Sequence, residues 1–258
     1  MHNDDILWVS NSEIGTYNRC PRQWYYGYYL GRTPKKRNPA FDNGTAWHDM
    51  MERYYADPQG EGASDALHFL TQHALDNPDS NVDHELLFSM FQGYLEWIKE
   101  EGEDYRLEFT HIESTGHLVL VEGVVGIRSK LDLIVLDKDT QESYLFDHKT
   151  AKDWSIFNGL LLNQQMRTYA LVANEDPSLP NIAGAMYSVA RKVKRNNTAK
   201  PPFFKREKIY LNESILRNHK TQITDAAECI AYTRDLLDKG SDIHNTVPPN
   251  VQYDCSRC

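Results

Sequence analysis

The stretch GIRSKLDLIVLDKDTQESYLFDHKT, Gly126–Thr150, decides the fold. It contains two runs of apolar and β-branched residues on either side of polar turn residues. The runs predict two successive strands, over Gly126–Leu136 and Ser143–Lys149. Asp132 lies inside the first run, and a carboxylate in so apolar a strand must be paired, hydrogen-bonded or bound to a metal. Asp132 is therefore a candidate functional residue.

Asp147 lies at the end of the second run, and Lys149 follows it with one residue between. Residues i and i+2 of a strand share a face, so the two side chains project together. Acids on neighbouring strands can hold a hard divalent cation, and a lysine beside them can orient or deprotonate water and stabilise charge on a phosphate. His148 points to the other face, and only its backbone carbonyl is placed to reach such a metal. An Asp-x-Lys spacing also occurs in solvated ion pairs and does not establish a site by itself.

The segments around these strands alternate between the helical and the extended period. Ser10 and Glu13 have capping-box spacing at the start of a first helix. Asn43-Gly44 is expected to break the chain before a helix at Thr45–Tyr55 that carries His48. Further helices are predicted over Ser64–Leu75, His84–Glu100, Ile156–Ala173 and Glu213–Lys239, and further strands over Tyr105–Glu113, His117–Glu122, Ile182–Val189 and Glu207–Leu211. This order predicts a mixed α/β fold with helices added at the N-terminal side.

The chain has 258 residues, 40% hydrophobic and 11% aromatic, which is typical of a globular protein with a sizeable core. No repeat or Gly/Ser linker divides the sequence, so we expect one domain over 1–258. Its parts would be helical at 1–104, a core at 105–212, and a C-terminal helix with a cysteine tail at 213–258. No apolar run approaches the roughly 18 residues of a membrane span. The acidic N-terminus is unlike a secretory signal, so we expect a cytoplasmic protein without a membrane partner.

The net charge is −9, from 28 Lys and Arg against 37 Asp and Glu. By itself this argues against a nucleic-acid partner, because phosphate binding rests on cations. The distribution is more favourable, since cations cluster in Arg19–Arg37 and Arg191–Lys208 while acids concentrate in Asp57–Glu113. The candidate phosphate contacts are Arg191, Lys192, Lys194 and Arg195. The alternative is that the basic clusters are solvated surface loops.

Several motifs occur in the order of a known family: His48, Asp132, Asp147-x-Lys149 and Gln165-x-x-x-Tyr169. This order resembles the RecB-type branch of the PD-(D/E)XK nuclease superfamily. The opening is also similar to the N-terminal signature of that branch, with Ser-x-x-Glu, then Tyr17-Asn18-Arg19-Cys20-Pro21, an aromatic run and Gly44-x-x-x-His48. The resemblance covers nearly the whole chain.

The resemblance implies a restriction-endonuclease-like mixed central sheet flanked by helices, with an N-terminal helical region and a C-terminal cysteine clasp. It implies a metal-dependent DNA nuclease, an exonuclease on DNA ends or single strands, in recombination, repair, phage DNA processing or CRISPR adaptation. The implied Mg²⁺ or Mn²⁺ ligands are His48, Asp132 and Asp147, with Lys149 as the catalytic lysine. Gln165 and Tyr169 would lie beside the active site on one helix face. Glu113 is a further candidate acid.

Two other functions remain possible at this stage: a non-catalytic DNA-binding or scaffolding subunit with a nuclease fold, and a zinc-stapled RNA-binding protein. The intact acids and lysine argue against the first, and the carboxylates in an apolar sheet are unexplained by the second. No G-x-x-x-x-G-K-[ST] motif is present, so unwinding of DNA would require a helicase or recombination partner.

Some RecB-type nucleases join their chain ends with an iron–sulfur cluster, and Cys20, Cys255 and Cys258 match three of its four cysteines. The fourth would lie beyond Cys258, so either the natural protein continues or another group completes the site. A [4Fe-4S] cluster normally takes four thiolates. Three cysteines and a histidine would instead suit structural zinc. Cys229, within a predicted helix, is interpreted as a small buried residue.

Overall fold

A computed structural model describes residues 6–33, 39–102, 104–160, 162–195 and 199–250. It confirms the mixed α/β architecture, a mixed sheet with helices on both faces. The strands are β1 (Leu7–Val9), β2 (Leu107–Val121), β3 (Val125–Asp137), β4 (Glu142–Ala151), β5 (Ile182–Arg191) and β6 (Phe204–Tyr210). The helices are α1 (Asn11–Arg19), α2 (Pro21–Trp24), α3 (Pro39–Ala56), α4 (Gly62–Asp76), α5 (His84–Glu100), α6 (Phe157–Leu160), α7 (Gln164–Glu175), α8 (Glu213–Asp238) and α9 (Ile243–Thr246).

Strand β3 pairs with three other strands and is covered on both edges, in keeping with its apolar sequence. β2 pairs with it antiparallel along nearly its whole length. The opposite edge of β3 is shared, because β1 pairs in parallel with its first residues and β4 pairs antiparallel with its last ones. β4 then pairs in parallel with β5, and β5 antiparallel with β6. Gly184 of β5 lets β6 approach closely, since a Cβ there would lie 2.0 Å from the carbonyl oxygen of Ile209.

The two faces of the sheet bury separate apolar cores. α1, α7 and α8 cover one face, and residues such as Ile14, Met166 and Ile230 pack there against Ile134 and Leu145. α3, α4 and α5 cover the other face with side chains that include Trp47, Leu70 and Phe91. A strand of a sheet covered on both sides must be apolar on both sides, which explains why β3 shows little alternation. Asp132 of β3 and Asp147 of β4 are therefore unexpected in these two strands.

Glu13, whose backbone N–H donates to the Ser10 hydroxyl at 3.1 Å as the capping box predicts, has a structural role. Its buried carboxylate accepts from the Trp24 indole and from the Arg234 guanidinium, at 2.9 Å each. α1 and α2 are thereby tied to α8. Loss of either partner would leave a buried carboxylate short of hydrogen bonds, which is strongly destabilising.

Four sequence-based assignments were wrong in detail. α3 runs through Asn43-Gly44 without a break, and the two strands expected over 105–122 form the single long strand β2. The helix expected over Ile156–Ala173 is divided, because Asn163 caps α7 by accepting the N–H of Gln165 at 2.9 Å. Cys229 is exposed on α8, since Ala226, Ala227 and Ile230 take the core-facing side.

Within the part of the chain that the structure describes, no helix combines the length and the apolar character needed to cross a bilayer.

Candidate active site

The predicted site lies where β3 and β4 separate. Their antiparallel ladder ends at the pair Ile134–Leu145, and from there β4 follows β5. If the same register is extended by two residues beyond this pair, Asp132 of β3 lies opposite Asp147 of β4. The two carboxylates therefore flank the opening between the strands. They lie on the face that carries Ile134 and Leu145, the side on which α7 packs.

Asp147 is the buried acid of the site, with only 1% of its surface exposed. Lys149 Nζ lies 3.0 Å from each carboxylate oxygen and donates a hydrogen bond to Oδ1. Oδ2 accepts no hydrogen bond from any described residue. Burial raises the pKa of Asp147, while Lys149 and His48 lower it and Asp132 raises it again. Burial thus disfavours the ionised form of Asp147, and the nearby cationic groups favour it.

His48 reaches the site from α3, in the opposite helical layer. Its Nδ1 lies 3.7 Å from Asp132 Oδ2, and the two side chains are 33% and 38% exposed. The helix is fixed by Trp47 and Met51, which are fully buried in the core on either side of His48 in the sequence. Packing of α3 therefore orients His48 toward the carboxylates, so these donors from distant segments meet at one place.

Gln165 and Tyr169 approach from α7. They are one turn apart, and Gln165 Nε2 donates to Tyr169 Oη at 2.8 Å. Burial raises the pKa of Tyr169, the hydrogen bond from Gln165 lowers it, and the charges of Asp132 and Asp147 raise it further. The phenol therefore lies within electrostatic reach of both carboxylates.

Four of these residues line a cleft of about 650 Å³: His48, Asp132, Lys149 and Gln165. Sequence reasoning missed other polar lining residues, among them Thr45, Glu52 and Lys130. Spacing rules could have found them. Thr45 and Glu52 are three residues before and four after His48 on one helix, and Lys130 is two residues before Asp132 on one strand.

The imidazole of His148 lies on the other face of β4, as the alternation of the strand predicts. It is 4% exposed, and its ring stacks on Tyr55 with centroids 5.1 Å apart. Burial holds its pKa well below the ordinary value. Neither ring nitrogen has a hydrogen-bond partner among the described residues. The backbone of His148 remains the part that adjoins Asp147 and Lys149. Glu113 lies in β2, and its side chain is outside the described set.

The four candidate phosphate contacts have different surroundings. Lys194 and Arg195 each pair with a glutamate of α5 at 2.7 Å. Arg191 donates to backbone carbonyls of residues 200 and 202 at 3.0 and 3.1 Å. Lys192 alone of the four lines the cleft. The structure therefore brings Lys192 to the site and holds the other three against protein groups.

The donor chemistry of the site fits a hard divalent cation: two carboxylates, one with an oxygen that accepts no hydrogen bond from the described part of the chain, and an imidazole. A ready-made group of three His, Cys, Asp or Glu ligands is not found among the described residues. The ammonium of Lys149 lies against both oxygens of Asp147 and compensates its charge instead. The two carboxylates and the imidazole are therefore suitable ligands for a divalent metal, which would have to bring them together when it binds.

Of the three cysteines expected to hold a cluster, Cys20 is buried, 4% exposed, at the start of α2. Cys255 and Cys258 lie outside the described residues. The C-terminal segment nevertheless reaches Cys20, because the N–H of Asn250 donates to its Sγ at 3.5 Å. The side-chain amide of Asn250 also donates to the backbone carbonyl of Arg19 at 3.1 Å.

Comparison with known proteins identifies the class. Residues 9–258 match the model of the PD-(D/E)XK nuclease superfamily. The chain belongs to this superfamily, and its sheet with flanking helices is the restriction-endonuclease-like fold. The comparison with curated proteins found no match.

One solved structure shares the fold. A crystal structure of a "putative exonuclease" from Eubacterium rectale is similar with a TM-score of 0.56 and 12% identity, over 99% of this chain and 88% of that chain. A second structure, that of the protein SSO0001, has 14% identity and a TM-score of 0.37, over 87% of this chain and 77% of that chain. The second similarity is too low to carry an argument.

Proposed function

We propose that the protein is a metal-dependent DNA nuclease of the RecB type, acting as an exonuclease on DNA ends or single strands. One observation carries the proposal: Asp132, buried Asp147 and Lys149 meet His48 of a separate helix at the opening between β3 and β4. Membership in a nuclease superfamily supports the activity. Similarity to a protein described as an exonuclease supports the mode of action. Recombination, repair, phage DNA processing and CRISPR adaptation are the processes in which such an enzyme would act.

His48, Asp132 and Asp147, with the backbone carbonyl of His148, would hold Mg²⁺ or Mn²⁺, which supplies Lewis-acid polarisation of the phosphate and activation of water. Lys149 Nζ lies 3.0 Å from Asp147 Oδ1, so the lysine is held at the site beside the carboxylate. We therefore assign it the orientation of water and the stabilisation of charge that develops on the phosphate. The Gln165–Tyr169 pair would position Lys149 or a DNA phosphate from the α7 side.

The decisive experiment incubates purified protein with end-labelled single- and double-stranded DNA in Mg²⁺, Mn²⁺ or EDTA. Asp132→Ala and Asp147→Ala should abolish cleavage while circular dichroism shows an intact fold, because a lost carboxylate ligand is not easily replaced. Asp139→Ala is the matched control, since Asp139 lies 53% exposed at the β3–β4 turn, where it pairs with Arg106. Full activity in EDTA would falsify the metal dependence.

The proposal includes a metal clasp of the chain ends, formed by Cys20, Cys255 and Cys258. The contact between Asn250 and Cys20 supports it, because it brings the C-terminal segment to the N-terminal cysteine. A [4Fe-4S] cluster is our first choice, with structural zinc as the alternative. DNA is the proposed partner, and a helicase or recombination protein would supply any unwinding.

A further inference from the structure

Immediately after β4, aromatic rings and cations lie side by side on the surface. We name this surface the basic–aromatic strip: Trp154, Phe157, Arg191, Lys192 and Lys205. The two aromatic residues lie on the helical turns that follow β4, and the cations lie at the ends of β5 and β6. The strip has no task in the cleavage chemistry assigned above.

The two rings are held in fixed orientations. Trp154 and Phe157 have centroids 5.9 Å apart and planes inclined by 33°. The side chain of Asp153 caps their helical turn by accepting the N–H of Ser155 at 2.9 Å. Each ring packs on one side against the apolar core and is partly exposed on the other. Rings held in this way lose little conformational freedom when a planar ligand stacks on them.

Cations lie over both rings. The guanidinium carbon of Arg191 is 5.8 Å from the Trp154 ring centroid, and Lys205 Nζ is 4.5 Å from that of Phe157. Lys205 is 52% exposed, and its contact with Glu207 is a 3.3 Å pair between exposed groups, which is worth little. When a base stacks on the Phe157 ring, the Lys205 ammonium can therefore leave the ring face and contact a phosphate.

The strip is continuous with the cleft. Lys192 lines the cleft, and its backbone N–H donates to the carbonyl of Ala151 at 2.7 Å. Because β4 and β5 are parallel, both strands deliver their C-terminal residues to the same edge of the sheet. A strand of nucleic acid in the cleft at Lys149 and Thr150 would meet Lys192 and then the rings.

We propose that the basic–aromatic strip is a stacking platform for single-stranded DNA leading into the cleft. The inference rests on the proposed nuclease function and deepens it by naming the form of the substrate. Rings that offer a partly open face to solvent recognise bases through their planes, and in a duplex those planes are covered by neighbouring bases. Cations beside rings suit a backbone that carries one phosphate per base. A duplex would engage the cations alone.

The test measures binding without cleavage, by fluorescence anisotropy in EDTA. The probes are an oligothymidylate of about 20 nucleotides, longer than a typical single-strand site, an abasic strand of equal length, and a blunt duplex. Trp154→Leu and Phe157→Leu keep apolar bulk but remove the ring. Each should weaken oligothymidylate binding roughly 10-fold, the scale of one lost stacking contact, and leave the abasic strand and the duplex unaffected. Tyr105→Leu is the control, because Tyr105 is 76% exposed beside the β3–β4 turn, at the opposite end of the sheet.

Wild-type protein that binds the abasic strand as tightly as oligothymidylate, or binds neither, overturns the platform. So does an equal loss for all three probes, or unchanged binding by both Leu variants. Cleavage is measured separately in Mg²⁺ or Mn²⁺. A protein that stacks single strands but cuts no DNA would refute the proposed nuclease and leave the platform standing. A protein that cuts normally in both Leu variants and binds unchanged would refute the platform alone.

Discussion

Lys149 is the residue whose loss should separate DNA binding from chemistry. Its ammonium lies 3.0 Å from the buried carboxylate of Asp147, which it pairs with. Lys149→Ala should lower the cleavage rate by about 100-fold or more, the usual effect of a lost acid–base or charge-stabilising group. DNA affinity should remain. Single-turnover cleavage and anisotropy in EDTA measure the two quantities.

Lys220→Ala is the matched control, because Lys220 pairs with Glu175 on the surface at 2.7 Å, away from the cleft. It should change neither quantity. Cleavage by Lys149→Ala at the wild-type rate would remove the lysine from the mechanism and require another charge-stabilising group.

Lys192 should contribute more to DNA affinity than its neighbours in the sequence do. It lines the cleft, whereas Lys194 and Arg195 are paired with glutamates of α5. Lys192→Ala should weaken binding without sequence bias and reduce the salt slope of the affinity by about one phosphate contact. The pair Lys194→Ala and Arg195→Ala should change the slope less. Titrations across a range of salt concentrations measure this, and equal slopes for all variants would place the DNA path elsewhere.

Single residues show how far the sequence could predict the site. The i, i+2 rule places Asp147 and Lys149 on one face, and the structure brings them together. The partners of Lys194 and Arg195 are glutamates 109 and 99 residues away in the chain. Local charge counting shows a basic cluster but not the acids that the fold brings to it.

At the scale of helices and strands, the sequence predicts the type of element better than its ends. Asn43-Gly44 carries a strong local turn signal, yet α3 continues through it because its helix packs Trp47 and Met50 into the core. Tertiary burial overrides the local preference. The break in the helix before α7 has the opposite cause, because here a local signal overrides the longer pattern. The segment has a helical period, yet the side chain of Asn163 caps α7 and starts a new helix.

α7 and α8 are linked by a contact that makes their packing depend on pH. Thr168 of α7 donates to Asn11 Oδ1 at 2.8 Å, so the His219 Nε2–H of α8 donates to the Thr168 hydroxyl, also at 2.8 Å. The other ring nitrogen, Nδ1, is buried without a hydrogen-bond partner among the described residues. Burial and the nearby Arg167 lower the pKa of His219 to about 4. The folded protein therefore holds this imidazole neutral.

In the unfolded chain His219 has the ordinary histidine pKa of 6.5, so it takes up a proton at a higher pH than it does in the folded protein. Neutral His219 therefore contributes its full share to the free energy of unfolding above pH 6.5. This contribution, at most about 3 kcal/mol, is lost as the pH falls toward 4. His219→Gln should flatten this part of the stability curve, as measured by urea unfolding at several pH values. His244→Gln, on the short helix α9, is the control. A wild-type curve with no fall between pH 6.5 and 4, or one unchanged by His219→Gln, would contradict the assignment.

At the scale of the whole molecule, the first helices contact the last described residues of the chain. The described chain joins them through the capping contacts of Asn250 and through Arg22, whose guanidinium donates to the carbonyls of Val247 and Ile243 at 2.8 and 2.9 Å. The sequence suggests this meeting only through the resemblance of its cysteines to a family pattern. No local period encodes a contact across 230 residues.

A metal held by Cys20 and the C-terminal cysteines would therefore act as a cross-link of the fold. Such a site does not exist in the unfolded chain, so its binding energy becomes folding energy. Protein purified without oxygen should be brown and contain iron. Cys20→Ser should remove the iron and lower the free energy of unfolding by about 5 kcal/mol, the scale of closing so long a loop. Cys229→Ser, an exposed position on α8, should do neither. Zinc in place of iron would keep the cross-link and exclude the cluster, and full-length anaerobic protein with neither metal would refute the clasp.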